Sequence, residues 1–163
     1  MNAAATSAAV AALAVLALAS SRGEEGSTMR TPRGIDRDLG KLTPGFRRRV
    51  ERVLARMQAR GFDAVVWEAW RSPERAAKLA AKGTGIALSM HTLGIAVDII
   101  SRKNRWDAGP EFWQALGEEY EREGIVWGGR WRSGDNPHGQ GVTVAQQGIA
   151  RAATREQLEM MTA

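Results

Sequence analysis

Only two histidines stand in this chain of 163 residues, and each has an aspartate nearby. His91 precedes Asp98 in the stretch SMHTLGIAVD, and Asp135 precedes His138 in DNPHGQ. Two imidazoles and one carboxylate make a catalytic zinc set, with three protein ligands and a fourth position left to water. Four candidates for three places leave one carboxylate over, and metal-assisted hydrolysis needs a general base near the attacking water. Each feature alone has a plainer reading. Asp98 could end a strand, DNP could be an ordinary Asx turn, and a loop histidine is more often at the surface than a ligand. Their joint occurrence in a chain without other histidines favours a metal site. There is no cysteine, so any metal is held by His, Asp or Glu, and neither a disulfide nor a thiolate nucleophile is available.

The elements that must position these residues can be read from periodicity and punctuation. Thr43-Pro44 reads as an N-cap followed by proline at the first helical position. Phe46, Val50, Val53, Leu54 and Met57 follow at helical spacing until Gly61, with the arginines between them facing water. AVVWEAW, residues 64–70, has strand composition, and Ser72-Pro73 opens a second helix that ends at Gly83. In GIAVDII, residues 94–100, Ile95, Val97 and Ile99 point one way and Gly94, Ala96 and Asp98 the other. Such a strand packs a core on one face and leaves room on the other. A third helix runs from Pro110 to Arg122, IVWGGRW is a strand entering a Gly-Gly turn, and Thr154 with Gln157 forms a capping box in a short C-terminal helix. The sum is a small single α+β domain.

Composition narrows the function. Hydrophobic residues make up 44% and charged residues 25%, as in ordinary folded proteins. The net charge of +5 favours an anionic partner. The excess is local: residues 30–60 hold ten Lys/Arg against Asp36, Asp38 and Glu51, a net of +7. No aromatics interleave with these arginines to stack bases, so the expected partners exclude nucleic acid. Residues 1–19 form an uncharged, alanine-rich run ending Ala17-Leu18-Ala19, which has the small residues of a signal-peptidase site. The run is too short and too weakly apolar for a permanent span of roughly 20 residues, and no Lys or Arg precedes it. An exported or weakly membrane-targeting segment is expected there, with transient membrane contact through residues 3–19. A plain alanine-rich leader is the alternative, and Met29 is a second possible start. Residues 20–42 read as a linker, 43–141 as the functional domain, and 142–163 as a tail with one short helix.

The spaced pattern Ser89-x-His91-x-x-Gly94-x-Ala96-x-Asp98, then Trp127-Gly128-Gly129, then Asp135-x-Pro137-His138-x-Gln140, resembles one family. It is the family of zinc D-alanyl-D-alanine carboxypeptidases (VanY-like) and L-alanyl-D-glutamate endopeptidases, many of them phage endolysins. The resemblance covers roughly residues 43–141. It implies an antiparallel sheet with flanking helices carrying a zinc site, as in the hedgehog and D-Ala-D-Ala peptidase fold. It implies one catalytic Zn²⁺ held by His91, Asp98 and His138, with Asp135 as the base that takes the water's proton and passes it to the leaving amine. Trp70-Arg71-Ser72-Pro73 resembles the segment carrying a substrate-binding arginine, so Arg71 would clamp a carboxylate, with a surface charge as the competing reading. Ser89, Trp127 and Gln140 complete the expected substrate-binding set, Ser89 by supporting the site through hydrogen bonds.

Bacterial peptidoglycan is the implied partner, acted on in the cell envelope, periplasm or outside the cell by a monomer. In this family Asp three residues before the final histidine goes with endopeptidases of the L-Ala–D-Glu bond, and Glu with the D-Ala-D-Ala branch. Asp135 therefore points to the endopeptidase. A D-alanyl-D-alanine carboxypeptidase and a non-catalytic wall-binding module are the alternatives. The sequence departs from the pattern at Gly139, where an aromatic is usual, and at Arg130, where an acid is common. The first departure predicts a substrate cleft lacking one wall.

Overall fold

The alternation of apolar side chains dictates where the helices lie. The structure, a computed structural model, describes residues 34–163, so the expected leader at 1–19 and most of the expected linker fall outside the described residues. Helix α1 (Pro44–Ala59) buries Phe46, Val50, Val53 and Met57 on one stripe. Strand β1 (Ala64–Glu68), helix α2 (Pro73–Ala81) and strand β2 (Ala96–Ser101) follow. Next come helix α3 (Pro110–Arg122) and the short strands β3 (Val126–Trp127) and β4 (His138–Gln140). Helices α4 (Gln147–Ala152) and α5 (Arg155–Thr162) close the chain. The four strands form one antiparallel sheet in the order β1-β2-β4-β3.

The main core joins α1 and α3 to β1 and β2, with Phe46, Val50, Val97, Ile99, Leu116 and Tyr120 fully buried. A second cluster joins Met90, Ile95, Ala96, Val142, Ala150 and Leu158 beneath the C-terminal helices. Strand β2 is therefore covered on both sides, and Asp98 alone within it is half-buried. The open face expected from its alternation is reduced to the space around that one carboxylate.

The packed body reaches beyond residues 43–141 at both ends. Asp36 bridges to Trp70, and Leu42 is buried. Thr43 occupies the N-cap of α1, but its hydroxyl lies 2.8 Å from that of Thr162 and makes no cap bond. The Glu159 carboxylate takes over that role by accepting from the Gly45 N–H at 2.8 and 3.0 Å. Thr154 and Gln157 form the expected capping box at the start of α5.

The arginines of α1 are only partly solvated, because α3 answers them with acids. Glu119, whose side chain is 2% exposed, accepts from Arg56 Nε at 2.7 Å and from Arg60 Nη1 at 3.0 Å. Glu123 is paired with Arg52 and Arg56, and Glu118 with Arg60. The local excess of positive charge thus lies largely along a helix–helix seam. Burial alone would raise the Glu119 pKa, but the hydrogen bonds from Arg60 and Arg56 hold it below its usual value. Glu119→Ala should lower unfolding free energy by about 2 kcal/mol, read from urea denaturation. A depressed folded-state pKa stabilises at pH above the unfolded carboxylate's 4.5. The parent's advantage over the variant should therefore shrink as pH falls below that value.

Candidate metal centre

Three short backbone devices bring the ligands together. His91 sits on a single 3-10 turn, Met90–Leu93, whose N-cap Ser89 accepts from the His91 N–H at 3.4 Å. Gly94 ends the turn in the left-handed region at φ 69°. A Cβ there would lie 2.5 Å from the Lys41 carbonyl oxygen, so both conformation and space require glycine. Asp98 lies on β2 directly opposite His138 of β4, and on its other side opposite Glu68 of β1. Three strands thus set Glu68, Asp98 and His138 in one row.

His91 Nε2 lies 3.3 Å and His138 Nδ1 3.1 Å from the same oxygen, Asp98 Oδ1. The two rings meet edge to face with centroids 5.2 Å apart. The far nitrogen of each ring fixes its tautomer. His91 Nδ1 faces the Ala69 carbonyl at 3.3 Å, which can only accept, so this nitrogen carries the proton. Gln140 donates through Nε2 to the Val142 carbonyl at 2.6 Å, which leaves Oε1 facing His138 Nε2 at 3.3 Å. In the neutral rings, both lone pairs therefore converge on a carboxylate oxygen. A cation resolves that opposition. The three ligand atoms lie within 4.8 Å of one another, and the N₂O donor set suits zinc.

Burial would raise the Asp98 pKa, but the charge of His91 and the hydrogen bonds from His138 and His91 hold it well below the usual carboxylate range. Burial would lower the His138 pKa, but the Asp98 hydrogen bond and charge raise it.

A cavity of about 360 Å³ opens over these atoms, lined also by Arg71, Ser89, Trp131, Asp135, Gln140 and Gln147. Asp135 is half-buried there, and its pKa is raised by desolvation against the opposing pull of His138. Arg71 is 12% exposed, with Nη2 3.9 Å from Asp98 Oδ2. It is steadied by Glu68, which also accepts from Arg75 Nε at 2.9 Å. Glu68 escaped the sequence reading, although a carboxylate inside AVVWEAW with arginines three and seven residues on was a visible signal.

Two expected members spend their polar atoms within the protein. Trp127 does not line this cavity; its ring covers Gly117 and Gly129, and its Nε1–H donates to the Asn136 carbonyl at 2.8 Å. Trp131 stands at the cavity instead, its ring 5.2 Å from that of His138. Gln140 is 1% exposed, and both ends of its amide are bonded within the protein. Gly139 removes no wall from the cleft. Strand alternation turns that position away from His138, and a Cβ there would meet the Tyr120 ring at 2.7 Å. Tyr120 fills the space from α3, and its hydroxyl donates to the Pro137 carbonyl at 2.9 Å. Arg130 pairs with Glu121 at 2.8 Å.

Residues 82–141 match the sequence profile of the family described as D-alanyl-D-alanine carboxypeptidase. A crystal structure of the Serratia marcescens L-Ala D-Glu endopeptidase ChiX shares the fold at 24% identity and TM-score 0.54, over 72% of this chain and 91% of that one. The vancomycin-resistance D,D-pentapeptidase VanY of a VanB-type cassette, solved with Zn(II), aligns at 18% identity and TM-score 0.48, over 72% and 83%. No curated protein matches the chain. The matched stretch contains all three converging ligands.

Metal analysis of the purified protein should find one zinc per chain, released by chelator. His91→Ala should bind it at least tenfold more weakly, and affinity should fall at acid pH, where the ligands must shed protons. Gly139→Phe should destabilise the fold by about 1–3 kcal/mol in urea titrations, because the new ring overlaps Tyr120.

Proposed function

We propose that the protein hydrolyses peptidoglycan stem peptides at the L-Ala–D-Glu bond, acting at the cell envelope. The observation that carries this reading is the convergence of His91 Nε2, Asp98 Oδ1 and His138 Nδ1 under a cavity that also receives Asp135 and Arg71. The activity named for the Serratia marcescens relative supports the choice of bond. So does Asp135, since an aspartate at that spacing resembles the endopeptidase branch.

A zinc ion held by these three ligands would supply Lewis acidity toward an attacking water and a scissile carbonyl. The remaining work falls to the chain. Asp135 accepts the water's proton on its carboxylate and returns it to the departing amine. Its desolvated setting raises its basicity and so favours the first transfer. Arg71 holds a carboxylate of the stem peptide, its guanidinium already oriented by Glu68. Its Nη1 has no protein hydrogen bond among the described residues and is free for that purpose. Ser89 keeps His91 in place by capping its turn. Trp131 supplies an apolar wall of the cavity.

The description of the family profile favours a second reading, release of terminal D-alanine. Digestion of purified peptidoglycan, with fragments identified by mass spectrometry, separates the two. The expected products are stem peptides cut between L-Ala and D-Glu, formed only with metal present. Free D-alanine would transfer the protein to the carboxypeptidase reading, and no product from zinc-loaded protein would overturn both. Asp135→Asn should lower kcat by about 100- to 10,000-fold with zinc still bound. Arg71→Ala should raise KM for the cleaved peptide.

A further inference from the structure

The metal centre continues into the C-terminal helices. Gln140 Oε1, which faces His138 Nε2, also lies 3.2 Å from Gln147 Nε2, at the first position of α4. Gln147 in turn accepts through Oε1 from Arg151 Nη2 at 3.1 Å, and Arg151 Nε donates to the Leu88 carbonyl at 3.1 Å. Arginine can only donate, so it fixes the direction of the Gln147 amide. That amide then presents its N–H₂ to Gln140. Each group is oriented by a neighbour with one possible role, from a surface guanidinium to the imidazole. Ala150 of α4 is buried in the cluster with Met90, so the helix is also fastened beside the turn that carries His91. Gln147 lies outside the matched stretch 82–141.

We propose that α4 is a working part of the metal centre, with Gln147 as a positioning residue. It holds the Gln140 carbonyl oxygen on His138 Nε2–H and so keeps Nδ1 as the metal-facing atom. This rests on the reading of His91, Asp98 and His138 as zinc ligands. The role suits an uncharged amide. Gln140 needs a donor at Oε1, and a carboxylate at position 147 would oppose it there.

The test uses the full chain stripped of metal, in the parent, Gln147→Ala and Gln147→Glu forms. Zn²⁺ affinity is measured by competition with a chromophoric chelator. Ligand geometry is read from the visible spectrum of the Co²⁺-substituted protein. Gln147→Glu keeps the helix intact, since its carboxylate pairs with Arg151 one turn later, yet it sets acceptor against acceptor at Gln140. Both variants are expected to bind zinc about tenfold more weakly and to show a shifted cobalt spectrum, with the metal-free melting temperature unchanged. Parent-like affinity and spectrum in both variants would overturn the proposal. So would weaker binding that only tracks a lower metal-free melting temperature in both. A parent that binds no zinc would instead overturn the metal centre, and the proposal with it.

Discussion

A carboxylate placed between two inward-facing imidazole lone pairs is unstable unless something positive lies among them. Asp98 is in that position, on a strand covered from both sides. Its surroundings make sense once this is granted. Ala69 and Gln140 turn the outer nitrogens into donors, Arg71 offsets charge from the side, and Glu68 steadies Arg71. Removing any of these leaves the carboxylate facing the wrong charge or an imidazole facing the wrong way. The protein therefore orients a cation's ligands through its own hydrogen bonds, from one ring to the Ala69 carbonyl and from the other to Gln140.

The second half of the site depends on α3 as much as on the strands. Tyr120 fills the volume that Gly139 leaves vacant and fastens the Pro137 carbonyl, one residue before His138. Asp135 is tied back through its N–H to the Gly128 carbonyl at 2.9 Å, where a side chain at 128 would strike the Asp135 backbone. The loop carrying the acid and the second histidine is thus clamped at both ends by close backbone approach.

Much of this was legible in the sequence because its causes are local. The stripe Phe46-Val50-Val53-Met57, the Ser72-Pro73 helix start and the Thr154–Gln157 box each need only neighbours within a few residues. The pair of spaced His/Asp motifs was legible for the same reason. What stayed hidden depends on contacts across the fold. The Thr43 hydroxyl meets Thr162, the arginines of α1 meet acids of α3, and Gln147 reaches Gln140 from beyond the expected domain boundary. Glu68 needed the register of β1 on β2 to acquire a purpose. Gly139 was misplaced for a simpler reason: counting one residue from His138 along a strand already turns it to the opposite face.

That alternation has a consequence for folding. Strand β4 is only three residues long, and its pairing with β2 sets His138 opposite Asp98. A slip of one residue would swing His138 into the space Tyr120 occupies and bring Gly139, which has no donor atom, to the ligand position. Such a chain would still be half-assembled protein, but it could no longer capture the ion. Zinc occupancy would then act as a proofreading signal, withheld from any molecule whose central strands have paired out of step.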